Sequence, residues 1–131
     1  MKLIRILILE DDLETLSILL KKLSILEKQD YAFRFSVIVL SEYTQVEEYV
    51  NNKKDNDFDI ILLDRDCKVF GSFHILDFNK FNIDKIISIS AVPEYNEDAR
   101  QKGVTKIVFK DHENLDEFSD KVLEEIKIIL S

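Results

Sequence analysis

The amino-acid sequence predicts an α/β fold in which five parallel strands form a doubly wound sheet with helices on both faces. Short aliphatic runs alternate five times with segments of helical periodicity along the 131 residues. Two of the runs, 3–9 and 59–63, are almost wholly aliphatic, which is typical of strands buried on both faces of a parallel sheet. Strands separated by single helices need crossover connections, which are right-handed and keep the strands parallel. We therefore expect one (βα)5 domain that spans residues 1–131.

The composition restricts the classes of function. Hydrophobic residues make up 46% and charged residues 34%, as in ordinary globular proteins. Acidic residues outnumber basic ones by 26 to 18, and the net charge of −8 opposes binding to nucleic acid or to an anionic membrane surface. The single cysteine cannot form an internal disulfide, and the sequence has neither a signal-peptide cleavage site nor a membrane-spanning run. We expect a cytoplasmic protein.

The first strand and the first helix are predicted from an aliphatic run and the carboxylates that follow it. Leu3 to Leu9 form the strand. Asp11 and Glu14 have the spacing of a capping box, so we expect the helix to begin there and to end near Glu27. Leucines recur at helical spacing within it: Leu13, Leu16, Leu20, Leu23 and Leu26.

A second strand and a short second helix are predicted before the central apolar run. Residues 34–40 alternate only partly, which favours a strand at an edge of the sheet. Thr44 and Glu47 repeat the capping-box spacing. The apolar residues of this helix are Val46, Tyr49 and Val50. The third strand is the run that ends on Asp64.

The next two helices flank a fourth strand. Ser72 is placed to cap a short third helix, and residues 85–90 form the strand. Pro93 fits the first turn of the fourth helix, which runs to about residue 102. Gly103 then ends that helix in the left-handed conformation.

The last strand and helix complete the pattern. Residues 106–110 form the fifth strand, and Asn114 with Glu117 opens the fifth helix as a third capping box. The apolar stripe of this helix is Leu115, Phe118, Val122, Ile126 and Ile129. His74 and His112 have no second ligand at metal spacing, so we interpret both as surface or cap residues.

Polar side chains follow the predicted strands at their carboxyl ends. Glu10 and Asp11 follow the first strand, Asp64 the third, Ser90 ends the fourth and Lys110 ends the fifth. In a parallel sheet these ends share one edge, where ligands bind. Three close carboxylates repel one another unless a cation joins them, and oxygen ligands suit Mg²⁺.

The same five residues favour phosphoryl transfer, which needs mainly positioning and charge compensation. Asp64 is placed to accept a phosphoryl group as an aspartyl phosphate. Lys110 can pair with one phosphate oxygen, and the Ser90 hydroxyl can donate a hydrogen bond to another.

The chain resembles the receiver domain of bacterial two-component response regulators along its whole length. The matching segments are Ile6–Asp12, Ile61–Asp64, Ser90-Ala91, and Gly103 seven residues before Lys110. The resemblance implies a flavodoxin-like strand order, 2-1-3-4-5. It also implies that Glu10 and Asp11 hold Mg²⁺ with Asp64 and with the backbone carbonyl of Asp66. Asp64 would receive its phosphate from a histidine kinase or a histidine phosphotransfer protein.

Four departures from the receiver pattern concern the switch. Ile107 stands where an aromatic residue is common, and Asp111 replaces the proline that often follows the lysine. The loop after Asp64 reads Arg65-Asp66-Cys67-Lys68 and lacks the usual methionine-proline pair. The segment from Ser90 to Gly103 is about two residues short, which leaves Ser88 as an alternative hydroxyl on the same face of the strand.

Three functions are open at this point. The first is a stand-alone phosphoacceptor that signals to a downstream protein partner through its fourth helix, fifth strand and fifth helix. It is a monomer or weak homodimer and not an enzyme, beyond self-phosphorylation from small phosphodonors and autodephosphorylation. The second is a pseudo-receiver, an interaction module without phosphorylation. The third is a haloacid-dehalogenase-like phosphatase, suggested by the spacing of Asp64 and Asp66.

Overall fold

Five parallel strands form one sheet in the order β2-β1-β3-β4-β5. The computed structural model describes residues 1–52, 58–65 and 71–131. The predicted strand order and direction are confirmed. The strands are β1 (Lys2–Leu9), β2 (Phe33–Leu40), β3 (Ile60–Leu63), β4 (Ile86–Ser88) and β5 (Lys106–Ile107).

The aliphatic runs occupy the middle of the sheet. β3 is buried along its whole length and pairs with β1 from Ile6↔Ile60 to Leu9↔Leu63. β2 lies at an edge and is half-exposed, as its alternation predicts. β4 and β5 are shorter than predicted, but their hydrogen-bond ladder continues: Val108 N–H donates to the Ser88 carbonyl at 2.9 Å, and Lys110 N–H donates to the Ser90 carbonyl at 3.1 Å. The predicted strand ends therefore stay attached to the sheet.

The first helix, α1 (Leu13–Gln29), is capped by Asp12, so the predicted Asp11 cap is wrong. Asp12 Oδ2 accepts from the Thr15 N–H at 3.1 Å and from the Thr15 hydroxyl at 2.5 Å. The second bond favours this cap over one at Asp11. The predicted stripe is also partly wrong, because Leu13 is 74% exposed. The side chains that α1 buries are Thr15, Leu16, Leu19 and Leu23.

The second helix begins two residues earlier than predicted. Glu42 forms a reciprocal capping box with Gln45 in place of the predicted Thr44 and Glu47 pair. α2 (Tyr43–Gln45) continues as a π-helical turn, Val46–Val50. Val46 and Val50 face the core, but Tyr49 is exposed, contrary to the prediction.

The crossover from β3 to β4 contains two 3₁₀ turns, Phe73–Ile75 and Ile83–Lys85, instead of the predicted third α-helix. Ser72 does cap the first turn, accepting from the His74 N–H at 3.1 Å. Asp77 and Asn82 bind backbone N–H groups two residues on, at 3.0 Å each. Such local bonds compete with helix formation and explain the missing helix.

The last two helices are as predicted. α3 (Pro93–Gln101) is the expected fourth helix and α4 (Leu115–Leu130) the expected fifth. Gly103 has a φ of +103°, and bonds from Gly103 N–H to Arg100 and from Val104 N–H to Ala99 end α3. Asn114 caps α4 by accepting from the Glu117 N–H at 3.1 Å.

The sheet separates two apolar clusters. One lies between the sheet and α1 with α4, and the other lies under α2, the crossover and α3. No helix in the described ranges is both long and apolar enough to cross a membrane.

Candidate functional site

Glu10, Asp11 and Asp64 meet at the carboxyl edge of the two central strands. Leu9 pairs with Leu63, and the Asp64 N–H donates to the Leu9 carbonyl at 3.0 Å. The residues after these strands therefore lie side by side. One carboxylate oxygen from each of the three acids lies within 4.8 Å of the others. The sheet register thus produces the predicted cluster.

Lys110 brings a positive charge into the cluster. Its Nζ lies 3.2 Å from Asp64 Oδ2 and forms an ion pair with Glu10 Oε1. Exposure is 0% for Glu10, 4% for Asp64 and 3% for Lys110, so water screens these charges little. With all groups ionised, three carboxylates and one ammonium leave a local charge of about −2, which favours a bound cation.

The pKa values of both Glu10 and Lys110 are raised in the folded protein. Burial and the neighbouring Asp64 charge raise the pKa of Glu10 from 4.5 to about 8, although Lys110 opposes the change. Burial lowers the pKa of Lys110, but the charges of Glu10 and Asp64 outweigh that effect and the net direction is upward. Both shifts follow from the burial of these charges close together, and the two carboxylate neighbours stabilise the positive charge of Lys110.

Glu10 is held by the turn into α1. Its Oε2 accepts from the Asp11 N–H at 3.0 Å and from the Asp12 N–H at 3.4 Å. These bonds fix Oε2 and leave Oε1 directed at Lys110. Three hard carboxylate oxygens grouped at one buried edge of the sheet are a donor set that fits Mg²⁺. Asp66, expected to add a backbone carbonyl, lies outside the described residues.

Solved structures of response regulators share this architecture. The phosphorylated cyanobacterial phytochrome response regulator RcpA matches 99% of this chain and 97% of its own, with a TM-score of 0.73 and 15% identity. The match to the Mn²⁺-bound form of response regulator Rcp1 covers 90% of each chain, with a TM-score of 0.69 and 12% identity. The match to the bacteriophytochrome response regulator AtBRR covers 98% of this chain and 94% of that one, with a TM-score of 0.65 and 19% identity.

The chain has the receiver fold of response regulators. These identities show the fold alone. In sequence, no protein-family model and no curated protein matches the chain. The receiver fold places Glu10, Asp11, Asp64 and Lys110 together, as their order along the chain predicts.

The two candidate hydroxyls, on Ser88 and Ser90, are both buried but have different hydrogen-bond partners. The Ser88 hydroxyl is fully buried and donates to Asn96 Oδ1 at 2.7 Å. Ser90 lies two residues further along, and its carbonyl accepts the Lys110 N–H at 3.1 Å. Its hydroxyl accepts from the Val92 N–H at 3.1 Å. The Ser88 hydroxyl is thus occupied by α3, whereas the Ser90 hydroxyl bonds to the backbone just before α3.

Two contacts between α3 and the site were not predicted. Asn96 binds Ser88 and Ser90, and Arg65, directly after Asp64, pairs with Asp98 at 2.7 Å. An asparagine inside a helix carries no sequence signal of such a role. Arg65 was visible only as a departure from the receiver loop.

His74 also differs from its interpretation as a surface or cap residue. Both ring nitrogens are buried without a hydrogen-bond partner in the described part of the chain. Burial, with the charges of Lys102 and Arg65, lowers the pKa of His74 to about 4. Its ring meets Phe78 edge to face, with centroids 6.1 Å apart.

Proposed function

We propose that this protein is a phosphoacceptor signalling domain of a two-component phosphorelay, phosphorylated on Asp64. The observation that carries the proposal is the cluster itself. Asp64 ends a buried central strand beside Glu10 and Asp11, with the Lys110 ammonium 3.2 Å away. This arrangement supplies a carboxylate nucleophile and a fixed positive charge at one sheet edge.

Phosphoryl transfer to Asp64 needs only the phosphate donor as a second reactant. A carboxylate oxygen of Asp64 attacks the phosphorus of the donor, and the bond from phosphorus to the donor atom breaks. With a phosphohistidine donor the imidazole nitrogen keeps the electron pair, and with acetyl phosphate the acetate oxygen keeps it. Water later cleaves the aspartyl phosphate and returns Asp64 with inorganic phosphate. The Lys110 ammonium donates a charge-assisted hydrogen bond to a phosphoryl oxygen during the transfer. We propose no other enzymatic activity.

Glu10, Asp11 and Asp64 would hold Mg²⁺, with the Asp66 carbonyl as a further ligand. When bound, the metal supplies positive charge that orients the incoming phosphoryl group. The protein's own contribution is to hold Glu10 Oε2 on two backbone N–H groups and to bury the acidic side chains.

The signalling face that we propose is formed by α3, β5 and α4. β5 is an edge strand, and Phe109 beside it is 53% exposed. A groove between β5 and α4 is lined by Phe109, Asp111, Glu117 and Lys121, among others. An exposed aromatic beside an open groove suits a downstream protein partner.

The phosphate donor in this proposal is a histidine kinase or a histidine phosphotransfer protein. The proposed cellular location is the cytoplasm. The proposed oligomeric state is a monomer or a weak homodimer.

A pseudo-receiver is the second candidate, and one observation favours it. Lys110 pairs with both Glu10 and Asp64, so the cluster compensates part of its own charge. In that case the protein would act as an interaction module whose surface does not depend on phosphate.

The deciding experiment is incubation with acetyl phosphate and Mg²⁺, followed by intact-mass measurement. The wild type is expected to gain one phosphate that is labile in base, and Asp64→Asn is expected to gain none. Asp59→Asn is the matched control, because Asp59 lies just before the same strand at its opposite end and binds the Arg5 N–H. A wild type that takes no phosphate, and that binds no Mg²⁺ by calorimetry, would support the pseudo-receiver instead.

A further inference from the structure

The Asn96 side chain joins α3 to both peptide groups of Ser90. Asn96 Oδ1 accepts from the Ser90 N–H at 3.1 Å, and Asn96 Nδ2 donates to the Ser90 carbonyl at 3.0 Å. A backbone N–H can only donate and a carbonyl can only accept, so this pair fixes the orientation of the amide. Oδ1 accepts a second bond, from the Ser88 hydroxyl at 2.7 Å.

The three residues are buried, with Asn96 in the first turn of α3. A buried polar group that loses its hydrogen-bond partner destabilises the protein, so these bonds resist separation of the loop from the helix. The bonds also span Val92, the residue that caps α3. They therefore hold the loop after β4 against the first turn of α3.

Ser90 is also connected to the site at its other side. Its carbonyl accepts a further bond from the Lys110 N–H at 3.1 Å, and the Lys110 ammonium contacts Asp64. The Ser90 hydroxyl accepts from the Val92 N–H, and its own proton has no acceptor among the described residues. Ser90 thus lies between the Asp64 site and Asn96, with a proton available to donate.

We propose that Asn96 is the positioning residue that transmits phosphorylation of Asp64 to α3, an inference that rests on the proposed function. When the Ser90 hydroxyl moves to donate to a phosphoryl oxygen on Asp64, the Ser90 peptide groups move with it. Asn96, bonded to both of those groups, carries the displacement into the first turn of α3. This route needs no aromatic residue at Ile107, where receivers commonly have one.

The test compares amide NMR spectra before and after phosphorylation with acetyl phosphate and Mg²⁺. In the wild type, amides of α3 and amides next to Asp64 are both expected to shift. In Asn96→Ala the α3 shifts are expected to be lost, while phosphate uptake and the shifts next to Asp64 remain. Ser88→Ala leaves the Asn96–Ser90 pair intact and should keep the α3 response. Glu94→Ala, an exposed site on the same helix, is the matched control.

A merely structural role for Asn96 would change the α3 amides equally in both states, and the state-dependent difference would survive. That result in Asn96→Ala overturns the proposal. Phosphate on the wild type without any α3 response also overturns it and leaves the proposed function standing. Absence of phosphate on the wild type overturns both. If Asn96→Ala does not fold, Asn96→Asp takes its place, because it keeps both acceptor bonds and turns an oxygen towards the Ser90 carbonyl; loss of the α3 response is again expected.

Discussion

Lys110 Nζ lies 3.2 Å from Asp64 Oδ2 and pairs at the same time with Glu10. One ammonium therefore compensates two buried carboxylates. The arrangement makes Lys110 a structural residue, in addition to its proposed role as a partner for an incoming phosphoryl group. A divalent cation in the cluster would take over part of that compensation.

Replacing Lys110 by methionine is expected to destabilise the metal-free protein by about 3 kcal/mol, because it leaves two carboxyl groups buried without their counter-charge. Added Mg²⁺ is expected to restore part of the loss, since the cation supplies the missing charge. Urea unfolding with and without Mg²⁺ measures both effects. Lys106→Met, at the start of the same strand, is the control, and an equal loss in the two variants would contradict the role given to the Lys110 pairs.

Asp11 and Asp12 are adjacent acids for which the structure indicates different tasks. Asp12→Ala is expected to lower the free energy of unfolding by about 1 kcal/mol, because it removes the bonds that cap α1. Asp11→Asn is expected to weaken Mg²⁺ binding with little change in stability. Urea unfolding and calorimetric titration of Mg²⁺ on both variants separate the tasks. The same ranking of the two variants in both measurements would show that the assignment is wrong.

Asp11 and Asp12 also show which features could be predicted from the sequence and which could not. The aliphatic runs before Glu10 and Asp64 predicted two central strands, and strand ends of a parallel sheet must share an edge. The cluster followed from that geometry alone. The choice between Asp11 and Asp12 as cap depended on the Thr15 hydroxyl, three residues after Asp12, and the capping-box spacing of Asp11 and Glu14 favoured the wrong residue.

The missing third helix and the role of Asn96 have a different origin. Asp77 and Asn82 take backbone donors locally, and a pattern of apolar residues does not register that competition. Asn96 acts across the start of α3 on Ser88 and Ser90, through contacts that exist only once β4 and α3 are packed. Side-chain pairing of this kind, between a strand end and the next helix, leaves no periodic trace in the sequence.

Arg65 makes a second connection between the site and α3. Its guanidinium binds Asp98 at 2.7 Å and lies 4.2 Å from the centroid of the Tyr95 ring. Arg65→Ala is expected to cost about 1 kcal/mol, because both contacts are partly exposed. Arg65→Lys is expected to recover little of it, since an ammonium lacks the planar fork and the stacking surface.

Double-mutant cycles divide that cost between the two contacts. Urea unfolding of Arg65→Ala, Asp98→Asn, Tyr95→Leu and the two double variants gives each coupling energy. We expect the Arg65–Tyr95 coupling to persist at high salt and the Arg65–Asp98 coupling to fall, because salt screens exposed ion pairs. Full recovery of stability by Arg65→Lys would contradict the stacking contact.

His74 predicts a specific dependence of stability on pH. Its pKa is lowered from 6.5 to about 4 in the folded protein, first by burial and then by the charges of Lys102 and Arg65. Below pH 6.5 His74 is protonated in the unfolded chain, whereas in the folded protein it stays neutral until the pH falls to about 4. The contribution of His74 to stability is therefore fully present above pH 6.5 and is lost as the pH falls towards 4, by up to about 3 kcal/mol.

His74→Leu removes this proton linkage and keeps an apolar side chain in the space beside Phe78. Urea unfolding of wild type and variant at several pH values between about 7 and 5 isolates the effect, because the carboxylates titrate in both proteins. The stability of the variant relative to wild type is expected to rise as the pH falls. His112→Leu is the control for the same substitution at an exposed histidine. A difference between wild type and His74→Leu that stays constant over this range would show that His74 is accessible to protons in the folded protein.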